Sequence, residues 1–165
     1  FSEPVAAAAA ILQAGIAPEQ TGAIVGQGRI AELSWRLLKS QGFERVRLLP
    51  ALSELGENAF DWLIETGLSA PDLNPLLRAL RPQGRLLLKS RHLPVLQLDP
   101  QLLIRKELQV QGVYYAPFAW VMAWLQRHQG AVRDLFGQVY PLQAWEAAIA
   151  AAEAGESHKI FIAWP

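Results

Sequence analysis

The chain predicts an α/β layer fold with a mainly parallel sheet, on three observations. Short apolar segments alternate with helical ones along most of the 165 residues, which is the pattern of strands joined by helical crossovers. One strand-to-helix junction is a glycine turn, with Ala23-Ile24-Val25 followed by Gly26-Gln27-Gly28 and then Arg29-Ile30-Ala31. The composition is 52% hydrophobic with no net charge, enough for one domain with a real core.

The elements follow in order. Pro4 suits the first turn of a helix and Gly15 its end, with an Ala-rich stretch between them. Pro18 to Thr21 reads as a turn and Gly22 to Val25 as the first strand. Arg29 to Gln41 places Ile30, Leu33, Leu37 and Leu38 on one helical face and closes at Gly42. Arg45 to Leu49 is a strand stopped by Pro50, and Phe60 to Ile64 is another. Asn74-Pro75 opens a helix to about Leu80, Pro82-Gln83-Gly84 is a turn, and Arg85 to Leu88 is a strand. Asp99 caps a short helix with Pro100 at its first position, running to Lys106. Leu108 to Gly112 alternates as a strand does. Phe118 to His128 and Leu142 to Ala154 read as helices, the second closed by Gly155, and Lys159 to Trp164 as a last strand.

Zero net charge leaves no electrostatic footprint for nucleic acid. The absence of cysteine excludes disulfides and thiolate metal sites in this chain and fits a cytoplasmic protein. The apolar run from Val5 to Leu12 is too short to cross a bilayer, so no membrane association is expected. Phe1-Ser2-Glu3-Pro4 carries no basic leader, and the missing methionine points to a fragment of a longer protein.

Gly26, Gly28 and Ala31 match the spacing G-x-G-x-x-G/A of a dinucleotide-binding turn. Gly26 allows the sharp turn off the strand. Gly28, without a side chain, lets a diphosphate approach the backbone. Ala31 lets the helix pack close to the strand. The helix N-terminus then offers unpaired N–H groups and a partial positive charge, to which Arg29 adds. One part of the pattern is missing. An acid about twenty residues on normally binds the ribose hydroxyls, but the second strand ends in Leu48-Leu49-Pro50. Arg47 reads equally as a 2′-phosphate contact or a solvated strand residue, so NAD and NADP both stay open.

Further segments carry a family resemblance. Phe60-Asp61-Trp62-Leu63-Ile64-Glu65-Thr66-Gly67 resembles the "D-V-V-I-E-A-T-G" strand and loop of the medium-chain dehydrogenase/reductases, the zinc-type alcohol dehydrogenase superfamily. Leu80 to Leu88 resembles that family's "L-R-P-G-G-R-L-V-L", and Arg105 to Gly112 its "K-E-L-x-I-x-G". Pro141-Leu142 to Lys159-Ile160 is similar to its final helix and strand, and Glu3-Pro4-Val5-Ala6 to the "E-P-L-A" before its cofactor domain.

The resemblance implies a Rossmann-like, doubly wound parallel sheet spanning residues 1–165 as one NAD(P)-binding domain. Its GroES-like catalytic partner would be absent, with residues 1–20 and 138–165 packing toward it. It implies the cofactor-binding domain of an NAD(P)-dependent oxidoreductase acting on an alcohol or carbonyl by hydride transfer. By position, Gly26, Gln27, Gly28 and Arg29 would meet the pyrophosphate, Ile30 would be a further cofactor-binding position, and Thr66 and Gly67 would lie beside the cofactor. Lys89, Ser90 and Val113 would sit near the nicotinamide. Glu3 would match a carboxylate that reaches a catalytic zinc held by the rest of the enzyme; the alternative is an acid favoured by the helix dipole. Strand 108–113 would be the edge that pairs with a second copy in a homodimer. Only Ala51 to Ala59 stands where the family has a helix, strand and helix, so the sheet is expected to lack about one strand on the adenosine side. The fragment alone is expected not to turn over substrate.

Other candidates weigh less. His92, His128 and His158 lack metal-ligand spacing. Trp120, Met122 and Trp124, with Tyr114 and Tyr115, read as core or interface before they read as a cofactor box. Ser34 lacks a nucleophile elbow around it. Lys89-Ser90-Arg91-His92 follows a strand's C-terminal end, where open α/β sheets bind ligands, though it equally reads as a solvated loop. The competing functional reading is a degenerate domain that has lost nucleotide binding and serves a structural or interaction role. A methyltransferase fits less well, since the later segments resemble dehydrogenases.

Overall fold

The computed structural model describes residues 1–67, 72–90, 95–154 and 159–164. Arg91, His92, Gly155 and His158 lie outside the described residues. The chain divides into two compact units, Phe1–Val121 and Met122–Pro165.

The first unit begins with α1 (Ser2–Ala9), continued by a 3₁₀ turn, Ala10–Gln13. β1 (Gly22–Val25), α2 (Arg29–Ser40), β2 (Val46–Leu49) and β3 (Phe60–Glu65) follow. Then come α3 (Asn74–Ala79), β4 (Leu80–Leu88), α4 (Pro100–Lys106) and β5 (Gln109–Gly112). The strands form one sheet in the order β2-β1-β3-β4-β5, every pair parallel. Between β2 and β3 there is only a 3₁₀ turn, Leu52–Glu54. The sheet is thus the doubly wound, shortened one expected.

Burial on both faces explains the near-continuous apolar runs of β1 and β3. Alternate side chains serve opposite layers. Ala23, Val25, Leu63 and Leu86 pack with Leu76 and Leu77 of α3. Ile24, Trp62, Ile64 and Leu87 pack with Leu38 of α2 and with Phe43. Asp99 caps α4 as expected, its carboxylate accepting the Gln101 N–H at 2.9 Å. Lys106 closes α3, its ammonium donating to the carbonyls of Leu77, Arg78 and Leu80 at 3.1, 2.7 and 2.7 Å. Burial lowers the Lys106 pKa from its ordinary value, and the charge of Glu57 opposes that shift.

Two elements differ from the sequence reading. The Pro82–Gly84 turn lies inside β4: Leu80 already pairs with Phe60, and pairing resumes at Arg85 opposite Trp62. Gln83 takes a φ of 62° there, so the turn is a bulge that interrupts the ladder without ending the strand.

The other difference is in the second unit, where Phe136–Pro141 forms a strand that the reading left unassigned. After α5 (Phe118–Arg127), which carries the boundary between the units, β6 (Phe136–Pro141), α6 (Trp145–Glu153) and β7 (Lys159–Ala163) make a small parallel crossover. A glycine and a terminal proline weaken the local signal of β6. Its pairing with β7 supplies what the local signal lacks, with Phe136 set edge-on to Phe161 at 5.3 Å. His128 stacks on Trp124 at 4.7 Å. Among the described residues no helix is long and apolar enough to cross a membrane.

Candidate functional site

The register of the sheet assembles the site. Val25 lies level with Leu49 and Glu65, Glu65 with Leu88, and Leu88 with Gly112. All five strands therefore end on one line. The residues just beyond it, Gly26, Pro50, Thr66, Lys89 and Val113, are brought to one edge although they span most of the unit. The chain leaves β1 toward β2 and returns to β3 on the other side of β1. That reversal opens a crevice above β1 and β3, the place where sheets of this kind bind ligands.

The glycine turn sits in this crevice. Gly26 has φ +132°, and a Cβ there would stand 2.5 Å from Thr66 Oγ1 and 3.2 Å from the Gly67 nitrogen. Gly28 has φ +90° and would meet nothing within 4 Å. The first glycine is thus required by packing, and the second leaves open space. Gly28 is also the N-cap of α2 and offers no side-chain cap, so the first-turn N–H groups face the crevice without a capping side chain. Arg29 begins the helix, and its Nε is buried with no hydrogen-bond partner among the described residues.

Beside the turn lies a cavity of about 240 Å³, lined by Glu3, Pro4, Ala7, Arg29, Ile30, Thr66, Lys89 and Ser90. Six of these are positions singled out from the sequence: Glu3, Arg29, Ile30, Thr66, Lys89 and Ser90. Gln27 and Gly67 are exposed. Val113 is set back: its N–H already donates to the Leu88 carbonyl at 3.1 Å. A larger hollow, about 430 Å³, is lined by uncharged residues including Leu12, Ile16, Phe43 and Trp120. It contains no titratable group and lies apart from the turn.

The floor of the site holds a group that sequence reasoning missed. Glu65, 1% exposed, accepts the Ser90 N–H at 3.0 Å and the Lys89 N–H at 3.4 Å, and also the Ser90 hydroxyl. The available signal was an acid ending β3 directly after the apolar run Trp62-Leu63-Ile64. Lys89 is 8% exposed, and its ammonium donates to the carbonyls of Ala7, Val113 (3.3 Å) and Tyr114 (3.0 Å). Glu3 accepts the Tyr115 hydroxyl. No cluster of three or more metal-ligating side chains occurs among the described residues. Arg47 lies two residues short of the end of β2, its guanidinium 6.0 Å from the Phe60 ring centre.

No protein-family profile matches the chain, and a search of curated proteins finds no match. Solved structures do match in fold. A Sinorhizobium meliloti protein described as a zinc-binding dehydrogenase, solved bound to NADP, has a TM-score of 0.81 at 19% identity, over 98% of this chain and 58% of its own. TarJ from S. aureus, in complex with NADPH, has a TM-score of 0.80 at 18% identity, over 100% and 63%. L-idonate 5-dehydrogenase from Escherichia coli has a TM-score of 0.80 at 20% identity, over 99% and 56%. The chain therefore has the Rossmann-like fold found in these proteins and spans 56–63% of their length.

Proposed function

We propose that this chain is the nicotinamide-dinucleotide-binding part of an oxidoreductase that transfers a hydride between the cofactor and an alcohol or carbonyl. The observation that carries this reading is the Gly26–Arg29 turn at the sheet's reversal point, with open space at Gly28 and an Arg29 Nε that has no partner among the described residues. Those features suit a diphosphate, which takes hydrogen bonds from helix N–H groups and a charged donor. When bound, the nicotinamide supplies the hydride chemistry. The chain's own residues bind and orient it: the α2 N-terminus and Arg29 at the phosphates, Thr66 and Ser90 along the crevice. The two compared proteins solved with NADP or NADPH support the reading. The end of β2 offers no carboxylate to repel a 2′-phosphate, which favours NADP over NAD.

Tryptophan fluorescence or calorimetric titration tests it. Saturable binding of NADPH, tighter than NADH, is the expected result. No saturable binding of either at millimolar levels overturns it. That outcome would favour the second reading, a structural module without cofactor. The missing ribose acid and the reduced Ala51–Ala59 segment give that reading its support.

The same proposal extends to a longer enzyme. Residues 1–20 and 138–165 would pack toward its substrate-binding part, which would select the alcohol or carbonyl. Glu3 is the residue nearest in kind to a zinc ligand, as one carboxylate toward an ion held by other residues. A cytoplasmic location fits the cysteine-free composition. Among the described residues β5 lies at the edge of the sheet, and all four of its residues are exposed, so its outer backbone suits pairing with a second copy. Sedimentation is expected to give a dimer that Val110→Pro converts to monomer; a wild-type monomer at the highest attainable concentration removes this part.

A further inference from the structure

Lys89 lines the cavity as a contact residue would, yet its ammonium is already spent. A lysine has three N–H donors and no acceptor. Those of Lys89 meet three carbonyls, of Ala7, Val113 and Tyr114. It ties α1 to the exit of β5 from the end of β4. Glu65 does the matching work from below, fixing the backbone N–H groups of Lys89 and Ser90 with one oxygen and the Ser90 hydroxyl with the other. The Lys89 N–H also donates to the Glu65 carbonyl at 2.9 Å. The β4 exit is therefore held from both sides, at its backbone and at both side chains.

This leaves Ser90 with a defined polarity. Its hydroxyl proton is committed to Glu65, so toward the cavity its oxygen presents lone pairs. We propose that Glu65 and Lys89 are positioning residues that hold Ser90 as a hydrogen-bond acceptor, so that the site selects a ligand group bearing an N–H donor over one that only accepts. A carboxamide satisfies this and a carboxylate does not. A site built to bond a donor rejects the analogue that lacks it, because its own polar group is then left unpaired. The inference rests on the dinucleotide reading, with the diphosphate at the α2 N-terminus and one end of the ligand in the cavity beside it.

Calorimetry on the 165-residue chain, with NADP and its nicotinic acid analogue as probes, tests it. The wild type is expected to bind the carboxamide form about tenfold or more tighter than the carboxylate form. Ser90→Ala is expected to reduce that preference to below about threefold, and Ser90→Thr, which keeps a hydroxyl, to retain it. Glu65→Gln and Lys89→Met, where they fold, are expected to lower the preference with binding of NADP weakened. Equal binding of both forms by the wild type overturns the proposal while leaving dinucleotide binding intact. Full preference retained in Ser90→Ala does the same. Failure of the wild type to bind either form overturns this proposal together with the reading beneath it. The Ser90 variants carry the decision, since Ser90 is only partly buried and Glu65 keeps the backbone N–H groups of Lys89 and Ser90 when the hydroxyl is removed.

Discussion

Replacing Gly26 with alanine is expected to abolish dinucleotide binding and to destabilise the chain by about 3 kcal/mol or more. Two costs combine. The backbone there has φ +132°, a conformation L side chains rarely adopt. The new methyl group also stands 2.5 Å from Thr66 Oγ1. Thr66 cannot swing away cheaply, because that hydroxyl donates to the Val25 carbonyl at 3.1 Å. The turn must then lift off β3, and the first-turn N–H groups of α2 move with it. Gly28→Ala is the informative contrast. It meets nothing within 4 Å, so its stability cost is only the backbone strain, about 1–2 kcal/mol. Its methyl group occupies the space through which a diphosphate reaches the helix, and NADPH binding is expected to fall about tenfold or more. Urea unfolding and calorimetry on both variants check this. A Gly28→Ala protein that binds as the parent does would show that ligand does not use the turn.

Gly22→Ala is expected to cost about 3 kcal/mol by a wholly different route. A Cβ at Gly22 would lie 2.1–2.2 Å from three carbons of the Trp62 indole. That ring is completely buried and stands edge-on to Phe43, with centres 6.0 Å apart. The glycine is flat against the tryptophan because only the absence of a side chain makes room for it. Trp62→Phe shortens the ring and removes an indole N–H that has no partner among the described residues. The double variant Gly22→Ala/Trp62→Phe is therefore expected to be more stable than the sum of the single losses by about 1 kcal/mol or more. Strict additivity in a urea unfolding cycle would mean that the two residues do not share this space.

The legible part of the fold was the part governed by local chemistry. Asp99-Pro100 announced α4 because an N-cap carboxylate and a first-turn proline act within one turn of chain. Gly26-Gln27-Gly28 announced the strand–helix junction because positive φ and close approach are demands that few residues meet. The gap after Pro50 was legible as a lost strand, and Leu52–Glu54 holds only a 3₁₀ turn. The segments that misled were those decided at a distance. The Pro82–Gly84 turn is a bulge because Leu80 finds Phe60 before the turn begins. The strand Phe136–Pro141 exists because β7, some twenty residues on, offers its backbone.

The candidate site divides in the same way. Residue types and spacing settled that this is an alternating α/β chain with a phosphate-suited turn after its first strand, because turns, caps and periodicity are read from neighbours in the chain. They named Lys89 and Ser90 but not their roles. Those depend on Glu65 below, Ala7 on α1 and Val113 and Tyr114 after β5, groups that only parallel pairing of the strands in register brings to one edge. A side chain's hydrogen-bonding role is set by its partners, and the partners of Lys89 and Ser90 are 24 to 82 residues away.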